Sequence, residues 1–242
     1  MSGHASYARF ISKIPKGVNI FKVPSVIATT ENIKPYGEFV YDFHKTKTIK
    51  LTWPKTEGRE IDKNTGNQAL DVEDDFTFKY KNRQLFAHNK SVPNGEYITG
   101  VIPKEEESLT SFRSIFTREA NYHCCGGQII YPKKNIPYAL LLSKAGDDIE
   151  PQNFVSFLFD GSCGFQIYPY VWHQPPYPFT DTEFKNKQCS VHSCVTVDTV
   201  DEFNTILEIQ LVPFMFHKQN YFDLNLNIGS ISAQQELLQS YL

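Results

Sequence analysis

The chain has 242 residues, a formal net charge of −3 and 14% aromatic residues, with 19 Phe and 13 Tyr against 2 Trp. That length fits one large domain better than two, and a Phe/Tyr-rich composition favours strands. The slightly acidic balance, with no basic patch or arginine-rich run, excludes the electrostatic footprint of a nucleic-acid binder. Residues 1–22 read as an N-terminal extension ahead of a single domain, 23–242. Val23-Pro24-Ser25-Val26-Ile27 opens the ordered region. Thr30-Glu31-Asn32-Ile33 fits a short helix with Thr30 as its N-cap, ended by Pro35-Tyr36-Gly37. Glu38-Phe39-Val40-Tyr41 resumes as a strand. Residues 54–75 are charged and carry the turn Asn64-Thr65-Gly66-Asn67, which predicts an exposed insertion. Phe76-Thr77-Phe78-Lys79-Tyr80 alternates with period two, the pattern of a half-buried strand. Lys104-Glu105-Glu106-Glu107 reads as a solvated charge run. From about residue 112 short strands follow one another: Phe112 to Phe116, Gly127 to Tyr131, Tyr138 to Ser143, Val155 to Phe159, Gly164 to Tyr168, Val191 to Val197 and Thr205 to Val212. Turn residues such as Gly146-Asp147-Asp148 and Asp160-Gly161-Ser162 separate them. The spacing predicts an all-β sandwich or small barrel. Ser232 to Gln239 reads as a short C-terminal helix.

The five cysteines, Cys124, Cys125, Cys163, Cys189 and Cys194, are odd in number and irregularly spaced, unlike a secreted disulfide framework. The opening residues lack a signal-peptide pattern, and no apolar run reaches the roughly 20 residues of a spanning helix. A cytoplasmic protein with reduced thiols is the expectation. Cys189, His192 and Cys194 lie close together, but a structural zinc site takes four ligands in recognisable pairs and no second pair follows. Adjacent residues on a strand face opposite ways, so Cys124-Cys125 reads as structural rather than nucleophilic. His4, His44, His88 and His217 read as surface residues, and no glycine loop of the phosphate-cradling kind occurs.

Two segments carry most of the chemical information. Tyr122-His123-Cys124-Cys125-Gly126-Gly127-Gln128 and Tyr170-Val171-Trp172-His173-Gln174-Pro175 each set a histidine among aromatic and apolar residues in a β-like stretch. An imidazole on an interior strand face needs a hydrogen-bond partner or a chemical role. If the two segments are facing strands of one barrel, His123, His173 and Gln128 point into a common cavity. His123 and Gln128 are five apart, so a bulge or turn at Gly126-Gly127 is needed to aim both inward. Histidine, then an amide or carboxylate five positions on, is also the spacing of the first metal motif of cupin barrels, with His173 as the natural second-motif histidine.

Taken together these segments resemble the ureidoglycolate lyases, a cupin-like family once called ureidoglycolate hydrolases. The family's Glu-Arg-His-Pro-Leu-Gly-Ser-Gln segment corresponds to Asn121 to Gln128, and its aromatic-rich Gly-Thr-Trp-His-His-Pro segment to Tyr170 to Pro175. Its opening Pro-Tyr-Gly resembles Pro35-Tyr36-Gly37. Pro137 to Leu142 and Gln152 to Phe159 resemble the two strands between the histidine segments, and Val195-Thr196-Val197-Asp198 resembles a late Val-Val-Asp strand. The likeness spans most of residues 23–212. Three positions depart from it: Asn121 stands for the family's glutamate, Gln174 for its second histidine, and Thr199 for a late arginine.

The resemblance implies a cupin-like β-barrel (double-stranded β-helix) and conversion of ureidoglycolate to glyoxylate and urea in allantoin, hence purine, degradation. It implies His123 and His173 as the proton-transferring pair and Gln128 as a substrate-orienting amide. Tyr168 and Trp172 would wall the pocket, and Glu119 would replace the carboxylate missing at Asn121. No cofactor is implied. If a divalent metal is bound, His123, Gln128 and His173 are the expected ligands. The expected partner is a small ureido/carboxylate substrate, with neither nucleic acid nor membrane, and homodimerisation is the expected assembly. The alternatives are a metal-dependent cupin enzyme, a dioxygenase or isomerase, and a non-catalytic barrel that binds a small ligand or a protein.

Overall fold

A computed structural model describes residues 16–49, 71–89, 96–103, 113–123, 126–146, 149–189 and 194–211. Its strands, in chain order, are β1 (Asn19–Lys22), β2 (Ser25–Ile27), β3 (Gly37–Val40), β4 (Asp71–Lys81), β5 (Gln84–His88), β6 (Glu96–Val101), β7 (Arg113–Thr117), β8 (Glu119–His123) and β9 (Gln128–Pro132). They continue with β10 (Tyr138–Ser143), β11 (Val155–Phe159), β12 (Gly164–Ile167), β13 (Trp172–His173), β14 (Tyr177–Pro178), β15 (Thr182–Cys189), β16 (Cys194–Asp198) and β17 (Thr205–Leu211). Two short helices, α1 (Thr30–Ile33) and α2 (Thr199–Phe203), complete the set. The fold is all-β. Among the described residues the strands form two open sheets rather than one closed barrel: a ten-stranded sheet ordered β1-β17-β7-β6-β5-β4-β15-β9-β12-β3 and a seven-stranded sheet built on β16-β8-β13-β10-β11-β2.

An aromatic seam joins the two layers. Tyr138 on β10 stacks on Phe159 of β11, with ring centroids 4.8 Å apart, and meets Phe184 of β15 edge-on at 5.1 Å. Phe159 in turn packs on Phe165 of β12 at 5.3 Å. Because side chains alternate along a strand, Phe184, Asn186 and Gln188 share one face of β15. Tyr138, Leu140 and Leu142 likewise share one face of β10. The same interlayer that holds the aromatic seam therefore runs on toward Asn186 and Leu142, and those positions set the site described below.

The strands expected after residue 112 correspond closely to β7, β9, β10, β11, β12, β16 and β17. Of the charged insertion expected over 54–75, residues 54–70 lie outside the described residues, and 71–75 belong instead to β4 and pair with β15 through Asp71↔Cys189 to Asp75↔Lys185. Their charges are answered across the sheet: Lys133 lies 2.9 Å from Asp75 and Lys187 lies 3.0 Å from Glu73. A polar run can thus be one face of a strand whose other face carries Phe76 and Phe78. The helix near residue 30 forms, but Thr29 caps it through a capping box with Asn32, one residue before the expected Thr30. The charge run at 104–107 and the helix expected at 232–239 lie outside the described residues. Asn19–Lys22, within the expected extension, pairs in parallel with Thr205–Glu208 of β17. No helix among the described residues is long and apolar enough to cross a membrane.

Gly127 fixes where β9 starts. A Cβ placed there would sit 2.6 Å from the carbonyl oxygen of Ile167 on β12, and that backbone cannot move aside. Gly127→Ala is therefore expected to push β9 off β12 and to cost about 1–3 kcal/mol in urea unfolding. An unchanged unfolding midpoint would show that the two strands can separate freely at this point.

Candidate active site

His123 ends β8 and His173 ends β13, neighbouring antiparallel strands of the seven-stranded sheet in which His173 faces Asn121. Gln128 begins β9 in the opposite sheet, where it lies directly across from Gln188 of β15. The expected geometry is corrected here. The two histidines sit side by side on one sheet instead of facing each other. Gln128 reaches them across the interlayer because residues 123 and 128 belong to different sheets, so no bulge is required to turn them the same way. Gly127 contributes the close approach to β12 described above.

The side chains nevertheless converge. Gln128 Oε1 lies 2.9 Å from His173 Nε2 and 3.2 Å from His123 Nε2. The two rings are 5.2 Å apart and tilted by 47°. At its other end the Gln128 carboxamide lies 2.8 Å from the Asn186 carboxamide. His173 Nδ1 lies 2.8 Å from the carbonyl oxygen of Val171. The group is nearly sealed, with His123 8%, Gln128 5%, His173 3% and Asn186 0% exposed. Two buried polar atoms, His123 Nδ1 and Asn186 Nδ2, have no hydrogen-bond partner among the described residues.

Burial sets the charge state. It pulls His123 down from 6.5 to about 4, against a smaller opposing effect of the hydrogen bond to Gln128. Burial, with the neighbouring His123 adding to it, pulls His173 down to about 3, while the Val171 carbonyl works the other way. Both rings are neutral near pH 7. Val171 offers only an acceptor, so His173 keeps its proton on Nδ1 and turns the lone pair of Nε2 into the site. Tyr170 helps hold this arrangement. It adopts a left-handed backbone at φ 65°, and its N–H donates to the His123 carbonyl at 3.0 Å, tying the second histidine segment to the first.

The remaining expected site residues are placed elsewhere. Trp172 takes the face of β13 opposite His173. Its ring meets Tyr122 edge-on at 4.7 Å and its Nε1 donates to the Gly146 carbonyl at 2.7 Å. It is a core residue, not a wall of the histidine site. Tyr168 donates its N–H to the Tyr36 carbonyl and accepts from the Val171 N–H at 3.3 Å, while its phenol is raised by desolvation with Glu38 adding to it. Glu119 starts β8, four residues before His123 and so about 13 Å away along a strand. Its carboxylate acts on the buried Tyr177 phenol, and its carbonyl accepts from Gln174 Nε2. Gln174, where the resemblance has a second histidine, thus serves as a clip between strands.

A guanidinium does lie beside Thr199. Arg118 Nε donates to Asp198 at 2.8 Å and Nη2 lies 3.0 Å from Asp201, so its charge is committed to two carboxylates. Asp198 itself caps α2 by accepting from Val200 and Asp201. Cys163 is buried, and burial together with Asp160 pushes its thiol up to about 11, which leaves it unreactive. His44 and His88 are exposed, as expected. Cys124, Cys125, His192, His4 and His217 lie outside the described residues. No group of three His, Cys, Asp or Glu placed to hold a metal occurs among the described residues.

Asn186 is the site residue that sequence reasoning missed. It stands in Thr182–Cys189, a Thr-Glu-Phe-Lys-Asn-Lys-Gln-Cys run with a single large apolar residue that carries little strand signal. The period-two placement of Phe184, Asn186 and Gln188 was the available clue. No protein-family model matches the chain, and no curated protein matches it.

Proposed function

We propose that this chain is a carbon–nitrogen lyase of the ureidoglycolate lyase type, built on a cupin-like double-stranded β-helix, that converts ureidoglycolate to glyoxylate and urea in allantoin breakdown. The observation that carries the reading is the convergence of two neutral imidazole Nε2 atoms on one carboxamide, 2.9 and 3.2 Å away, in a nearly closed interlayer. The reaction needs one group that takes the carbinol hydroxyl proton and returns a proton to the departing nitrogen. As the O–H bond breaks, the carbon–oxygen double bond forms and the C–N bond breaks, its electron pair staying on the urea nitrogen. The proton held at His173 Nε2 then passes to that nitrogen, directly or by way of His123, and both rings end as they began. The substrate carboxylate, arriving beside buried rings, favours their protonated form and so strengthens a base whose resting pKa is low. The Gln128 and Asn186 carboxamides offer a donor and an acceptor in one plane, which is what a ureido group requires.

One observation favours a second reading. Two Nε2 atoms aimed at a single point is also the arrangement of a metal-dependent cupin enzyme. The other donors here are amides, a charge-poor set less attractive to a hard cation than carboxylates. Proton chemistry at the imidazoles is the better fit.

The experiment is a glyoxylate-release assay on protein purified without chelator, with metal analysis of the same sample, repeated after treatment with chelator. The proposal expects release of glyoxylate that survives the chelator. Stoichiometric iron, manganese or nickel with activity lost on its removal would overturn it in favour of the metal enzyme. No release under either condition would overturn it in favour of a binding protein.

A further inference from the structure

We propose that Asn186 is a positioning residue: it holds the Gln128 carboxamide with its NH₂ group toward the two histidines, which fixes both rings as Nδ1–H tautomers whose Nε2 electron pairs accept from Gln128. The inference deepens the proposed function and rests on it for what those electron pairs do, but its test reads protons rather than turnover.

A half-turn of a carboxamide exchanges its oxygen and nitrogen while leaving the heavy-atom positions essentially unchanged. The hydrogen-bond network decides between the two orientations. With the Gln128 oxygen toward the rings, His173 must donate from Nε2 at 2.9 Å. Its Nδ1, 2.8 Å from the Val171 carbonyl, must also donate. Only a doubly protonated ring does both, and among the described residues no carboxylate is a partner of either ring to balance that buried charge. With the nitrogen toward the rings, one N–H meets His173 Nε2 and the other meets His123 Nε2. His173 Nδ1–H still donates to Val171, and every contact joins a donor to an acceptor with both rings neutral.

That orientation turns the Gln128 oxygen toward Asn186, 2.8 Å away, which then must present its own NH₂. Asn186 can do so. It is fully buried, and its amide nitrogen has no other partner among the described residues to hold it in place. What the orientation needs from this position is a donor to the Gln128 oxygen, and the unpartnered Asn186 amide nitrogen supplies it. A carboxylate here accepts only, and would draw the Gln128 NH₂ away from the rings.

The test is nitrogen NMR of histidine-labelled protein near neutral pH, comparing wild type with Asn186→Asp and Asn186→Ser. In wild type, His123 and His173 are expected to show Nδ1 protonated and Nε2 unprotonated. In Asn186→Asp, Nε2 is expected to become protonated on at least one of the two rings, its signal moving from the pyridine-type to the pyrrole-type range. Asn186→Ser, whose hydroxyl can still donate to the Gln128 oxygen, is expected to keep the wild-type pattern and serves if the aspartate variant does not fold. A protonated Nε2 on either ring of wild type would overturn the proposal. So would Nε2 signals in Asn186→Asp that match wild type, or loss of the wild-type pattern in Asn186→Ser.

Discussion

Replacing His173 by alanine is expected to lower the rate of glyoxylate release from ureidoglycolate by roughly 10²–10⁴-fold, the usual contribution of a positioned acid or base. His123→Ala is expected to cost a similar factor. His173 is the more firmly held of the two. Its Nδ1 is pinned to Val171 at 2.8 Å, so its Nε2 electron pair has a fixed direction, whereas His123 Nδ1 has no partner among the described residues. Because both rings are buried, each alanine also opens a cavity. His173→Gln and His123→Gln, which keep a polar side chain of similar reach but cannot exchange a proton near neutral pH, separate chemistry from packing. The measurement is kcat at saturating substrate, with a thermal unfolding midpoint for each variant. Turnover lost only in proportion to folded protein would assign the rings a structural role.

The second large effect is on stability in mild acid. In the unfolded chain both rings take up a proton near 6.5, but in the folded chain not until the pH reaches about 4 for His123 and about 3 for His173. Between those values the unfolded state binds more protons than the folded one, so stability is full above about pH 6.5 and falls as the pH drops through the window. Below the folded values the loss levels off. Each ring contributes on the order of 3 kcal/mol to that loss, a large share of the 5–15 kcal/mol typical of a domain. Urea unfolding midpoints taken from about pH 7 down to about pH 4 should therefore fall steeply. The fall should shrink when both rings are replaced by phenylalanine. A midpoint that holds constant over this range would mean the rings already bear charge, or are hydrated, in the folded protein.

Much of the scaffold was legible because short apolar runs bounded by turn residues mark buried strands. Tyr138 to Ser143 and Val155 to Phe159 are the central strands of a layer and were readable residue for residue. The convergence of His123, His173 and Gln128 was also readable, since two interior imidazoles and an amide need one another as hydrogen-bond partners. Their relative placement was not. Spacing along the chain does not tell whether residues 123 and 128 share a strand or lie on opposing sheets, and here the strands part between them. Trp172 was misplaced for a related reason: aromatic character marks a pocket wall and a core equally, and only the alternation that sets it opposite to His173 separates the two. Asn186 escaped notice because a polar residue between two lysines looks solvated until the strand bearing it is known to be buried on one face. The same blindness hid residues 71–75 in a charged stretch that is half of a long β-ribbon.

In the proposed function His123 and His173 act as one proton-handling unit on a ureido acid. The most direct measurement is the release of glyoxylate and urea from ureidoglycolate by wild type and by the His123→Gln/His173→Gln double variant, prepared side by side and both shown to be folded. Equimolar products are expected from wild type, and the double variant is expected to be no slower than the worse single one, since removing either member already disables the unit. Equal rates from wild type and the double variant would contradict it, as would a wild-type protein that leaves ureidoglycolate untouched.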